Sequence, residues 1–380
     1  MTGLSVTSKP WAVLLALSLA LPALSADWSA KLAAGYLDSR QQAWSAWPRA
    51  AAPGGTCISC HTGLTYLLVR PALRRALGEA APTQYEAALT AGMRTRLDAA
   101  QPKSMFPRFT HEPLLSQGAA VEAILSSLLL ASQEASQATL SAEAERAFAH
   151  MWSLQIQEGA ASGGWGWFSL GLSPWEAPES GYYGAALALE AVATAPATYR
   201  NRPDVQKHLA ALTAYLRREF ASQPLHHRLI VLTAARRIPD ALPGDLRRQT
   251  IEEAWSKQRA DGAWSIESLG PWKVHARAAE SSPADSYATA ITVFTLQRAG
   301  VSDPRLGKAL AWLRTHQDAQ TGAWTSQSMN KVYEPGSIPT LFMNDAATAY
   351  AVLSLLEAAS PGPDAPVSSA SSAAASRRPQ

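Results

Sequence analysis

A tryptophan-marked unit that returns after 60 residues constrains this chain more than any other feature. Gln258-x-x-x-Gly262-x-Trp264 comes back as Gln317-x-x-x-x-Gly322-x-Trp324, and in both units an aspartate, Asp285 or Asp345, stands 21 residues beyond the tryptophan. A looser copy runs from Gln157 to Trp165 and precedes Tyr183-Gly-Ala-Ala-Leu-Ala-Leu. Self-similarity at such a period marks one supersecondary unit repeated, each copy burying its apolar face against its neighbours. The chain from Gln117 to Ala359 is therefore expected to fold as an array.

The units read as helical hairpins. Segments 118–131, 182–195, 285–299 and 345–359 are rich in Ala, Leu and Val with few charges, the composition of helices buried on most faces. A weaker member falls at 225–236. Segments 142–157, 204–219, 246–258 and 305–317 alternate with them and carry charge on one side and apolar residues at helical spacing, so they are expected to face solvent. Ser282-Pro-Ala-Asp285 reads as a helix opening with Pro in the first turn. Asp285 and Asp345 each stand at a helix start, where a carboxylate caps backbone N–H groups. No alternating strand pattern interrupts the series, and the expected fold class is all-α.

The Gln–Gly–Trp units resemble the QW motifs of the squalene–hopene cyclase and prenyltransferase superfamily. The resemblance covers residues 115–359 and implies an α/α toroid of about five hairpins, an inner ring of helices around a cavity and an outer ring facing water. The motif's own physics is structural. Gly ends an outer helix in a left-handed turn, the Gln amide bonds backbone groups at helix termini, and the indole packs over the turn. In that superfamily, class II cyclases protonate their substrate with Asp-x-Asp-Asp, and protein prenyltransferases hold zinc with Asp, Cys and His. Here each helix start carries one carboxylate, and both cysteines precede the repeats. A standard enzyme of either branch is not expected, and no catalytic residue is assigned. The aromatic run Trp165, Trp167, Phe168, Trp175, Tyr182 and Tyr183, with Trp272 in a later loop, reads as packing on the end of the array. An apolar, terpenoid-like small molecule is the alternative occupant of such a surface. Glu176 and Glu179 beside it read as solvated.

The only two cysteines of the chain stand in Cys57-Ile58-Ser59-Cys60-His61. Cys-x-x-Cys-His is the attachment signature of a c-type haem, each thiol forming a thioether to a vinyl group while the adjacent imidazole ligates iron. One covalent haem c, held by Cys57 and Cys60 with His61 as proximal ligand, is the expected cofactor. A thioredoxin-like dithiol needs a βαβ setting, and the flanks Ala51-Ala-Pro-Gly-Gly and Thr62-Gly63 carry no strand pattern. A zinc site needs two further ligands at short spacing, and a disulfide across two residues closes too small a loop to contribute much. For the sixth iron position the candidates are Met105, in Ser-Met-Phe-Pro-Arg-Phe, and His111, in Thr-His-Glu-Pro, with an open site as the third possibility. Met93 reads as a residue of a helix over 83–97. Arg70, Arg74 and Arg75 either pair with haem propionates or form a solvated basic face.

Lys9, the apolar run from Trp11 to Leu21 and Pro22-Ala-Leu-Ser-Ala26 read as a secretory signal over 1–26, which places the mature chain in the periplasm or outside the cell. Residues 27–116 are then the haem segment, expected to sit as an appendage on the array of 117–359. Residues 360–380, rich in Ala, Ser and Pro, read as a disordered tail. No segment after the signal reads as a membrane span. With 47% hydrophobic and 17% charged residues the chain can bury a sizeable core, and a net charge of +3 speaks against a nucleic-acid partner. Together these features imply an exported haem protein acting in electron transfer or redox sensing, with a redox partner protein that the sequence does not identify. Oxidation or cyclisation of a hydrophobic substrate, and lipid binding, are the alternatives.

Overall fold

The structure, a computed structural model, describes residues 27–97 and 110–359 apart from 274, 279 and 281. Its helices are α1 (Ala30–Ala46), α2 (Gly63–Leu77), α3 (Gln84–Leu97), α4 (Leu114–Gln133), α5 (Ala142–Ser153), α6 (Ser180–Thr194) and α7 (Ala197–Arg200). They continue as α8 (Pro203–Glu219), α9 (Leu225–Leu232), α10 (Gly244–Ser256), α11 (Ser286–Arg298), α12 (Pro304–Thr315) and α13 (Phe342–Ala359). Among the described residues the one sheet is a hairpin of β1 (Ala51–Ala52) and β2 (Gly55–Thr56). The protein is all-α.

Burial sorts the helices into two sets. In α4, α6, α9, α11 and α13 most side chains are buried, including Ser126, Thr292 and Ser354. In α5, α8, α10 and α12 only one stripe is buried, for example Val205, Leu209, Leu212 and Leu216 of α8, as expected where one face meets water. The buried helices pack in sequence: α4 on α6, α6 on α9, α9 on α11, α11 on α13. The series then closes, because α13 packs on α2 and α2 on α4. Leu68, Leu128, Leu187, Ile230, Phe294 and Leu353, one from each of these six helices, line a shared axial cavity of about 270 Å³.

The repeat motif fastens the outer helices to one another. Gln258 Nε2 donates to the carbonyls of Gly262 (3.0 Å) and of Arg305 (3.1 Å) at the start of α12. Gln317 Nε2 donates to Gly322 (3.0 Å) and to Ser29 (3.0 Å) just before α1. Trp264 Nε1 and Trp324 Nε1 each reach back to the preceding outer helix, at Ala254 O (2.7 Å) and Leu313 O (2.8 Å). Gly262 (φ 97°) and Gly322 (φ 80°) take the left-handed turn. A Cβ on Gly322 would lie 2.3 Å from Leu32 O of α1, so only glycine lets the two helices meet. In the looser copy the working amide is Gln155, bonded to Gly163 O (3.0 Å) and His208 O (3.1 Å), not Gln157.

Three expectations change. The 27–116 segment is not an appendage: α2 occupies a place among the buried helices, and α1 receives the last clamp. Asp285 is an N-cap, accepting from Ala288 N (2.9 Å), but Pro283 precedes the helix instead of lying in its first turn. Asp345 lies inside α13, which begins at Phe342, and caps nothing. Among the described residues one helix, α4, is long and apolar enough to cross a membrane, and 83% of its apolar window is buried inside the protein.

Candidate functional site

The Cys57–His61 turn is held between the β-hairpin and α2. Cys57 N–H donates to Ala50 O (2.8 Å). Ser59 Oγ accepts from the N–H groups of Thr62 (3.1 Å) and Gly63 (3.1 Å), satisfying donors at the start of α2. Thr65 Oγ1 donates to His61 O (2.7 Å). From α3, Arg96 steadies the hairpin through Pro53 O and Thr56 O (both 3.1 Å) while it pairs with buried Glu122 of α4 (2.6 Å).

Cys57, Cys60 and His61 line one cavity of about 300 Å³, walled by Phe168, Leu172 and Phe342. Both cysteines are buried and no disulfide joins them. Burial, and then the charge of Glu176, push the Cys60 thiol well above its ordinary range. A dithiol built for exchange would need the opposite shift. The three side chains share the wall without converging, since among the described residues no group of three or more Cys, His, Asp or Glu could hold a metal ion.

His61 is boxed by rings. Phe342 stacks on the imidazole at 3.6 Å between centroids, Trp44 meets it edge-on at 5.2 Å, and Trp175 stands at 5.9 Å. Its Nδ1 lies 2.8 Å from Thr62 Oγ1, which in turn donates to Asp345 Oδ2 (2.7 Å). Asp345 is fully buried and takes Arg40 Nε (2.6 Å) and Nη2 (3.2 Å) and Tyr36 O–H (3.0 Å). Burial pushes its carboxyl upward, and the Arg40 guanidinium pulls against that. Behind Trp175, the indole N–H donates to the Tyr287 phenolic Oη (3.1 Å), which lies 2.7 Å from His226 Nε2. Burial pushes His226 well below the usual histidine range and takes neighbouring His227 to about 4.

No family model and no curated protein matches the chain. The site stands on its own residues.

Of the expected site residues, Cys57, Cys60 and His61 line the same cavity. Met105 and the signal segment 1–26 lie outside the described residues, as does the tail. His111 is exposed, Met93 is fully buried in α3, and neither lines the cavity. Arg70 pairs with Asp38 and Glu79, Arg74 with Glu86, and Arg75 lines the axial cavity instead. The cations at the His61 cavity are Arg49 and Lys331. Glu176 is half-buried against the same cavity, not solvated. The aromatic run is buried, and Phe168 belongs to the cavity wall. Sequence reasoning missed Arg40, Thr62 and Phe342, and it misread Asp345. One signal was there: Tyr36, Arg40 and Trp44 recur at four-residue intervals along one face of α1.

Proposed function

We propose that this chain is an exported c-type haem protein that acts in electron transfer or redox sensing. The observation that carries the reading is the single cavity on which both thiols of the attachment motif and its histidine open. The donor set fits the group. Two thiols on one wall suit attachment at a porphyrin edge, and Thr62 holds the adjacent imidazole at Nδ1. When bound, haem supplies a one-electron change at iron. The protein's part is to hold His61 between Phe342 and Trp44, to surround the ring with apolar and aromatic side chains, and to offer Arg49 and Lys331 to propionates. The remaining helices serve as scaffold and docking surface for a redox partner protein.

The test is a pyridine haemochrome spectrum, with intact mass, of protein exported by a host competent in cytochrome c maturation. A two-thioether spectrum and one tetrapyrrole mass increment are expected, both lost in Cys57→Ala/Cys60→Ala. Colour removed entirely by acid–acetone overturns the reading.

The axial cavity favours a second reading. Its apolar wall and its rim of Arg75, Arg298, Glu190 and Glu357 suit an amphiphilic small molecule. Organic extraction of the purified protein should then yield a stoichiometric lipid, reduced by Leu187→Trp.

A further inference from the structure

Thr62 Oγ1 stands between the Asp345 carboxylate and His61 Nδ1. A carboxylate paired with a guanidinium through both oxygens is an acceptor only, and Asp345 receives Arg40 at Oδ1 (2.6 Å) and Oδ2 (3.2 Å). Thr62 Oγ1, 2.7 Å from Oδ2, must therefore spend its one hydrogen on Asp345. What remains on that oxygen is lone pairs. His61 Nδ1, 2.8 Å away, can form its bond only by donating. We propose that Asp345 acts through Thr62 as a positioning residue that fixes the proton of His61 on Nδ1.

The carboxylate is itself locked. Arg40 and Tyr36 stand one turn apart on α1, and both reach Asp345 on α13. Arg40 also donates to Ile338 O (3.0 Å), so its guanidinium is pinned from two sides. The ion pair is almost wholly buried, with side-chain exposures of 8% and 1%. A tilted carboxylate would release the Thr62 hydrogen, and with it the choice of tautomer.

The consequence for a bound haem rests on the function proposed above; the tautomer itself does not. A proximal imidazole donating Nδ1–H into a carboxylate-backed acceptor is a stronger iron ligand than one without that bond. The resting potential is lowered accordingly.

The experiment uses the full chain, exported with and without haem maturation, carrying ¹⁵N-histidine. His61 is assigned by the signal lost in His61→Gln. Unloaded wild type at neutral pH should show His61 as the single Nδ1–H tautomer, Thr62→Val should show a mixture, and Thr62→Ser should restore the wild-type pattern. In loaded protein, Thr62→Val should raise the midpoint potential and weaken the iron–histidine vibration, with Thr62→Ser close to wild type. Asp345→Asn should shift the tautomer in the same direction as Thr62→Val. If it does not fold, because Arg40 is left buried without its partner, the threonine pair still decides. An Nε2–H tautomer in wild type, or an unchanged tautomer in Thr62→Val, overturns the proposal. A correct tautomer without attached haem would sink the haem reading alone.

Discussion

Trp264 and Trp324 sit alike. Both are fully buried, both send the indole N–H back to the preceding outer helix, and both donate a backbone N–H to an inner-helix threonine, Thr289 or Thr348, at 3.0 Å. Beyond that point the units part. Asp285 lies four residues before its threonine and caps α11, whereas Asp345 lies three before its own and turns toward α1. Asn344 holds the place four before Thr348, and its Oδ1 accepts from Ser326 N (2.9 Å), while Ser326 Oγ donates to Asp285 (2.7 Å). One residue along a helix is a rotation of about 100°. A shared distance to the tryptophan thus conceals a slip in helix register, and that slip turns a cap into the keystone of the His61 network.

The largest test of this contrast is removal of the two carboxylates. Asp345→Ala leaves Arg40 charged and buried, and should lower unfolding stability by about 3–5 kcal/mol. Asp285→Ala removes a cap and should lower it by about 1–2 kcal/mol. Urea unfolding of both variants measures the gap. Equal losses would mean that the Arg40 pair does not distinguish the two units.

Acid should find the α11 side first. Tyr287, two residues after Asp285, binds His226, and both His226 and His227 are held neutral by burial. Unfolded, His227 takes its proton at the ordinary 6.5; folded, it refuses until about 4. The unfolded state binds more protons across that window, so stability is lost as pH falls through it, on the order of 3 kcal/mol for His227. Unfolding midpoints measured from pH 7 to 4.5 should slope accordingly. In His227→Gln, which keeps a donor for Pro174 O, the slope should flatten. A slope that His227→Gln leaves unchanged would remove the histidines from the account.

The glycines sharpen the same comparison. An added Cβ would meet Leu32 O at 2.3 Å from Gly322, and the Lys308 backbone at 2.8 Å from Gly262. Both turns also lie at positive φ. Each substitution by alanine should lower stability by about 1–3 kcal/mol, with Gly322→Ala the worse because the collision is closer. Thermal melts of the two variants give the order directly, and the reverse order would show that α1 yields more easily than α12.

Much of this was legible beforehand because helix period, buried composition and the Gln–Gly–Trp clamp are local properties. Segments 204–219 and 305–317 reappear as α8 and α12 within two residues at either end. Cys57, Cys60 and His61 were legible as a motif for the same reason. Arg40, Thr62 and Phe342 were not, since their importance arises from α1 and α13 meeting across about 300 residues of chain. Asp345 was misread because spacing was counted from the tryptophan, while the helix that carries it starts at Phe342. Gln155 was missed for a related reason: two glutamines stand two residues apart, and only the fold shows which amide meets Gly163.

The smallest expected difference concerns how α1 is held. Gln258 makes two bonds to backbone carbonyls, at Gly262 and Arg305. Gln317 makes three, because its Oε1 also accepts from Ser29 N (2.6 Å) while its Nε2 reaches Ser29 O. A net contribution of about 1 kcal/mol per bond makes Gln317→Leu worse than Gln258→Leu by about that amount. The loss should be local: amide exchange ought to quicken at the start of α1 in Gln317→Leu, where Ala33 N otherwise bonds Ser29 O at 3.1 Å. Should the two variants prove equal and α1 stay protected, the clamp would not be what holds α1 in place. The apolar packing of α1 on α2 and α13 would then suffice to hold Tyr36 and Arg40 against Asp345.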